Sequence, residues 1–353
     1  MMGRYYMGVS SDKNENTNEE IFFLNTNFEI DINNLYDENS WYSSLKDRDE
    51  EIEGIKSLII EEFNIIMENT KKSLNDYNKN EKFDLSLTFL KDMHFVACTS
   101  NSEIKLSEGL IIHYYNFFKG FLKAHHNSYD FDDGIVEMIP IKFILYHEIG
   151  HVVHGHIKLL ENRKTNNEAI STLDQKSLEY DADAFALSRI YDEYNGVIKN
   201  SIDNCNNSEE FKKGLELMLL VPIFEKVILG IVIAFFIIRK PDDFNKLDTK
   251  KHPPTFYREV LAIESLKSLL ASKINVQKIF VDCELTLTKY VGYDDSIMQK
   301  FVADILDNIV HADDIVENWN ERVKYEVKKY SRFPVEGIDF VFEDGKPVLK
   351  GTF

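Results

Sequence analysis

Apolar residues recur at three- and four-residue spacing from Ile52 to about Leu74 (Ile55, Leu58, Ile59, Phe63, Ile66), which predicts an amphipathic helix. Before it, residues 11–20 are polar and read as a loop, and Ile21 to about Ile32 looks strand-like. Phe83 to Leu90 alternates in part and predicts a strand. His94 to Leu110 predicts a second extended stretch that ends in a turn at Gly109. Residues 111–124 are aromatic-rich and helical in pattern. Ile139 to Leu160 reads as one helix with Pro140 near its start, where proline is tolerated. Two polar loops, about 161–171 and 192–208, bracket a helix from Leu173 to Tyr191. An apolar run at 217–238 stops at Arg239-Lys240-Pro241-Asp242-Asp243. Residues 254–273 and 295–330 are helical in pattern, the end of the chain suggests a hairpin around Asp344-Gly345, and no internal repeat is visible. The expected architecture is α+β: a mainly helical domain with a small mixed sheet. Its boundaries are read as an N-terminal segment at 1–80, a central domain at 81–275 and a helical C-terminal segment at 276–353.

The apolar run at 217–238 raises the question of a membrane. Its second half, Val227 to Ile238, is 12 uncharged residues long. A span needs about 20 apolar residues, and Pro222, Glu225 and Lys226 interrupt this run. A single crossing would also put Glu179 and the segment from His252 to Arg258 on opposite sides of a bilayer. A buried core helix is the preferred reading.

Composition narrows the functional classes. The 353 residues are 44% hydrophobic and 29% charged, ordinary values for a soluble globular protein. A net charge of -19, from 60 acidic against 41 basic side chains, repels polyphosphate and anionic lipid. Nucleic acid and anionic membrane surfaces are therefore not expected partners. Cys98, Cys205 and Cys283 are odd in number and lack metal-ligand or redox spacing, which points to a reducing compartment. The N-terminus lacks the apolar stretch of a secretory signal, so a cytoplasmic location is expected.

The chemistry is concentrated in Tyr146-His147-Glu148-Ile149-Gly150-His151-Val152-Val153-His154-Gly155-His156. On a helix, positions four apart lie about 40° apart around the axis, so His147 and His151 face one point. Glu148 is turned about 100° from His147, near enough to hold a reacting water without taking a ligand position. Two imidazoles and an adjacent carboxylate on one helix suit zinc-assisted hydrolysis. His-Glu-x-x-His arises by chance in about 1 chain in 40 of this composition, so the surroundings must carry weight too. The preceding Ile141 to Tyr146 has the pattern of a buried helix, where such sites are built.

A catalytic zinc needs a third protein ligand. Leu178-Glu179-Tyr180-Asp181-Ala182-Asp183-Ala184-Phe185-Ala186 places Glu179 and Asp183 one turn apart on a common face. Glu179 is the expected ligand. Asp183 is placed to accept a hydrogen bond from the second nitrogen of a ligand histidine, and the small Ala182, Ala184 and Ala186 allow close helix packing. By themselves these acids would read as a solvent-facing helix. A metzincin pattern fails, because it needs glycine where His154 stands and histidine where Ile157 stands. His154 and His156 read as surface or second-shell histidines rather than ligands.

With these residues in place, His-Glu-Ile-Gly-His-Val-x-x-Gly-His followed by Glu-x-x-x-Asp-x-x-Ala resembles the gluzincin peptidases related to the CAAX prenyl protease and the heat-shock protease HtpX. Lys251-His252-Pro253-Pro254-Thr255-Phe256-Tyr257-Arg258 is similar to the His-Pro-Pro…Arg stretch beyond the zinc ligands of that group. Phe95-Val96-Ala97-Cys98, leading to Ile104 and Gly109-Leu110, is similar to the strand before the motif helix, an edge that can pair with substrate backbone. The short interval from His151 to Glu179 is closer to the ImmA/IrrE-type regulatory peptidases and the phage-exclusion peptidase Lit. The resemblance covers about residues 94–265.

It implies a zincin-like fold whose edge strand precedes the motif helix, and a compact soluble enzyme that cleaves intracellular protein, either broadly or as a narrow-specificity regulatory or toxin/phage-exclusion-type protease with one chosen target. His147, His151 and Glu179 would hold Zn2+, with Glu148 as general base. Arg258 or His252 would stabilise the oxyanion, or Arg258 would simply pair with Asp183. The alternatives are a catalytically silent, metal-stabilised protein-binding module, against which the presence of Glu148 counts, and a membrane-anchored protease. The oligomeric state is not legible.

Overall fold

The structure, a computed structural model, describes residues 22–23, 45–77, 83–92, 96–125, 135–205, 208–238, 255–270, 273–290, 312–333, 339–343 and 346–350. Most of the expected elements form. Helix α1 is Leu45–Tyr77, longer at both ends than its apolar stripe. A four-stranded mixed sheet follows, built from β1 (Phe22–Phe23), β2 (Ser86–Leu90), β3 (Ala97–Thr99) and β4 (Glu103–Ser107) in the order β1-β3-β4-β2. Strands β2 and β4 run parallel, while β3 is antiparallel to β4 and meets β1 through only two residue pairs. The expected loop at 11–20 and most of the strand from Ile21 to Ile32 lie outside the described residues.

Gly109 makes no turn. The chain reverses earlier, where Ser100 to Ser102 join β3 to β4, and Gly109 lies in the first turn of helix α2 (Glu108–His125). Ser107 fixes that start. Its hydroxyl oxygen accepts from the Leu110 amide at 3.1 Å, an N-cap contact, and from the Val96 amide at 2.9 Å.

The helix expected from Ile139 to Leu160 is two helices. α3 is Ile135–Val153 and α4 is His156–Thr165, with a break at Gly155, whose φ of 80° is left-handed. Only glycine adopts that conformation without a Cβ penalty. A second constraint comes from far along the chain: a Cβ on Gly155 would lie 2.5 Å from the carbonyl carbon of Tyr330. Gly155→Ala is therefore expected to destabilise the protein by about 2–4 kcal/mol, combining backbone strain with overpacking against main chain. Thermal or urea unfolding checks this, and a loss below about 0.5 kcal/mol would show that the break tolerates a side chain.

The polar stretch at 192–208 is helical up to residue 203. Helix α5 runs Thr172–Asp203, capped by Ser171, whose hydroxyl accepts from the Asp174 amide at 3.0 Å. Tyr194 and Ile198 are buried four residues apart, and the many asparagines and acids around them form a solvated face rather than a loop. The apolar run lies in α6 (Glu209–Ile238), which by length and composition alone is a helix able to cross a membrane. Its half from Val227 to Ile237 is buried inside the fold, as a core helix would be. Helices α7 (Thr255–Leu269) and α8 (Val276–Tyr290) follow. A helical run over 312–327, α9, contains a π-helical segment at Trp319–Val323. Strands β5 (Asp339–Glu343) and β6 (Lys346–Lys350) pair antiparallel on either side of 344–345, as a terminal hairpin requires.

Helix α3 is the axis of the core. Ile139 to Val153 is buried without interruption, the signature of a helix surrounded on all sides. It packs on α5 and α6 and against β3. The one ammonium on this stretch, Lys142, meets Glu62 of α1 at 3.1 Å and also bonds Glu193 of α5. A buried cation is thereby matched by two carboxylates, as burial demands. One apolar cluster extends from Ile59 through Ile149 and Phe235 to Leu287 and Phe333.

Candidate metal centre and active site

The site lies where α3 meets α5. Gly150 permits the approach: a Cβ there would sit 3.4 Å from Ala182 Cα and 3.1 Å from the Phe185 ring. The small residues expected to allow close packing thus meet at Ala182. From α3, His147 and His151 point across this contact, with their Nε2 atoms 3.1 Å apart. From α5, Glu179 brings Oε2 to 3.5 Å from His147 Nε2 and Oε1 to 3.5 Å from His151 Nε2. All three side chains are buried, and their donor atoms lie within 4.8 Å of one another.

These donors fit zinc. Two nitrogens about 2.0–2.1 Å from one tetrahedral ion stand about 3.3 Å from each other, close to the spacing of the two Nε2 atoms. The electrostatics agree. Burial would lower the His147 imidazole, yet Asp183 and Glu179 raise it to about 9. Burial, and then the Glu179 carboxylate, push Glu148 up to about 8 against the opposing pull of His147 and Arg258. Burial is the largest cause of the Glu148 shift, and a cation bound between these groups would displace the retained protons, leaving His147 neutral and Glu148 ionised. Glu148 Oε2 is also buried with no hydrogen-bond partner among the described residues, as a carboxylate awaiting a water or substrate proton would be.

His147 Nδ1 lies 2.8 Å from Asp183 Oδ1. A carboxylate only accepts, so Nδ1 carries the proton and Nε2 presents its lone pair to the centre. Arg258, the fourth residue of α7, grips the same carboxylate with two bonds: Nε to Oδ2 at 2.8 Å and Nη2 to Oδ1 at 2.7 Å. Of the two expected roles for Arg258, pairing with Asp183 is the one the geometry displays, and its Nη1 remains 3.9 Å from Glu179. Burial would raise the Asp183 carboxyl, but the charge and hydrogen bonds of Arg258, with His147, hold it below its ordinary value. His252 lies outside the described residues.

Strand β3 passes beside the site. Cys98 is buried, and burial, followed by the charge of Glu148, pushes its thiol up to about 12. That state suits an inert core cysteine rather than a nucleophile. None of Cys98, Cys205 and Cys283 is in a disulfide.

His154 and His156 are not surface residues. Both are buried behind His151 and converge on Asp181, a residue that spacing from Glu179 alone did not single out. Asp181 lies about 200° around α5 from Glu179 and so serves a different face of the helix. The signal available in the sequence was the alternation Glu179, Asp181, Asp183 opposite a histidine pair flanking a glycine.

No curated protein and no solved structure matches the chain. One family model does: Peptidase U49, over residues 134–274. That stretch contains α3 and α5 whole, together with His147, Glu148, His151, Glu179, Asp183 and Arg258. The match supports a peptidase, a hydrolase acting on protein or peptide.

Proposed function

We propose that the chain is a zinc-dependent endopeptidase that hydrolyses peptide bonds of an intracellular protein, with narrow specificity of a regulatory or phage-exclusion kind. The observation that carries this reading is the convergence of His147 Nε2, His151 Nε2 and the Glu179 carboxylate beside Glu148 Oε2, inside the stretch matched by the peptidase family. In this reading His147, His151 and Glu179 hold the ion, and two imidazoles with one carboxylate suit zinc among the common divalent metals. A bound zinc supplies Lewis acidity, polarising a carbonyl oxygen and acidifying water. Glu148 accepts a proton from the attacking water at its free oxygen and later delivers it to the leaving amine. Asp183 keeps the proton of His147 on Nδ1, and Arg258 keeps Asp183 ionised and in place. Buried apolar walls from α3 and α6 exclude bulk water, so the charge of Glu148 acts in a poorly screened medium.

The test is metal content and proteolysis of the purified protein. One equivalent of zinc is expected, with casein or proteome cleavage that stops on treatment with a strong zinc chelator and returns on adding zinc back. Protein that takes up no zinc from supplemented buffer would remove the reading. Zinc uptake with no cleavage of a broad substrate mixture would move weight to a single dedicated target.

A further inference from the structure

His151 Nδ1 stands 2.9 Å from His156 Nδ1, and two nitrogens at that distance share one proton. Which of them owns it follows from the far side of His156. There Nε2 lies 3.0 Å from Asp181 Oδ2, and the same oxygen is bonded by His154 Nδ1. A carboxylate oxygen accepts and does not donate, so His156 carries its proton on Nε2 and His154 carries its own on Nδ1. His156 Nδ1 is then a bare acceptor, the shared proton belongs to His151 Nδ1, and His151 Nε2 turns a lone pair to the centre. The contacts from His151 to His156 and from His156 to Asp181 are thus both satisfied by neutral imidazoles and an ionised carboxylate.

We infer that His156 and Asp181, backed by His154, form a buried positioning relay that fixes the tautomer and ring orientation of His151, a counterpart to the Asp183–Arg258 pair behind His147. The inference rests on the reading of His147, His151 and Glu179 as a zinc site. It assigns work to the Gly155 break as well. Only by leaving the axis of α3 after Val153 does the chain carry His156 back behind His151, two residues past a histidine that would otherwise follow the helix. Trp319 lies edge-on to the His156 ring and Phe333 edge-on to His154, which closes the relay from solvent.

His154, His156 and Asp181 also have the makings of a second metal site, since one donor atom from each lies within 4.8 Å of the others. Proton accounting opposes it. A metal on His156 Nε2 would move the proton of His156 to Nδ1, directly facing the proton of His151. Either His151 would lose its contact, or it would have to become an imidazolate.

The experiment uses the full-length zinc-loaded chain with 15N-labelled histidine. Two-bond 1H–15N spectra are expected to show His151 and His154 protonated at Nδ1 and His156 at Nε2. In parallel, zinc affinity is measured by chelator competition for wild type, His156→Asn and His156→Leu. Asparagine can place an oxygen near the position of Nδ1 and keep the acceptor for His151, whereas leucine fills the space without one. His156→Leu is expected to weaken zinc about 10–100-fold, and His156→Asn to recover most of that loss. A role in packing alone would not distinguish the two by their acceptor. Equal zinc affinity in wild type and His156→Leu, a proton on His156 Nδ1, or two equivalents of zinc in wild type would each overturn the relay while leaving the peptidase reading standing. A wild type that binds no zinc would take down both.

Discussion

Glu148→Gln is expected to lower peptide-bond cleavage by about 10²–10⁴-fold while leaving one equivalent of bound zinc. Glutamine matches the shape of the buried side chain but has no basic oxygen to take a proton from water and none to pass on. Retained zinc is expected because Glu148 stands apart from the three converging donors, beside them on α3 rather than among them. The comparison needs single-turnover or initial-rate data on a substrate that the wild type cleaves, with metal content measured on the same preparations. Activity within tenfold of wild type would remove Glu148 from the role of base. Loss of zinc together with activity would instead make Glu148 part of the metal's support, and the catalytic assignment would have to be rebuilt.

The residues legible in the sequence are those whose relation is set by one helix. His147, Glu148 and His151 lie within a single turn or so, as do Glu179 and Asp183, and 3.6 residues per turn fixes their faces whatever the rest of the chain does. Buried-helix patterning likewise placed the core of α3, though not the break that ends it, and the core half of α6, because a helix apolar on all sides has few other places to be. What escaped depends on partners distant in sequence. Gly155 inside a helical pattern is ordinarily tolerated, and the contact that makes it a break comes from Tyr330. His156 reads as peripheral until that break returns it to His151, and Asp181 has no evident purpose until both histidines reach it. The continuation of α5 to Asp203 was hidden by composition, since asparagine and aspartate favour turns locally but are held helical here by the burial of Tyr194 and Ile198. Ser107 shows the reverse case, a cap readable in principle from Ser-Glu-Gly-Leu but masked by the glycine that follows.

Arg258→Met is expected to destabilise the protein by about 3–5 kcal/mol, the usual result of leaving one member of a buried ion pair behind. Asp183 and Arg258 are each only 3% exposed, and the carboxylate would retain His147 as its remaining partner in the group. Methionine preserves much of the volume and the packing against Phe235, over whose ring the guanidinium carbon lies at 5.8 Å, so the loss reports charge rather than a cavity. Adding Asp183→Asn should restore most of the stability, because the uncompensated charge disappears while an oxygen remains to accept from His147 Nδ1. The double variant then separates two roles that the single variant confounds. If Arg258 acts only through Asp183, zinc affinity should recover along with the unfolding midpoint. If the midpoint recovers and zinc affinity does not, the charge on the carboxylate is itself needed to make His147 a good ligand. A loss below about 1 kcal/mol in Arg258→Met would mean that the pair does not tie α7 to α5, and Arg258 would return to consideration as a group that meets the substrate.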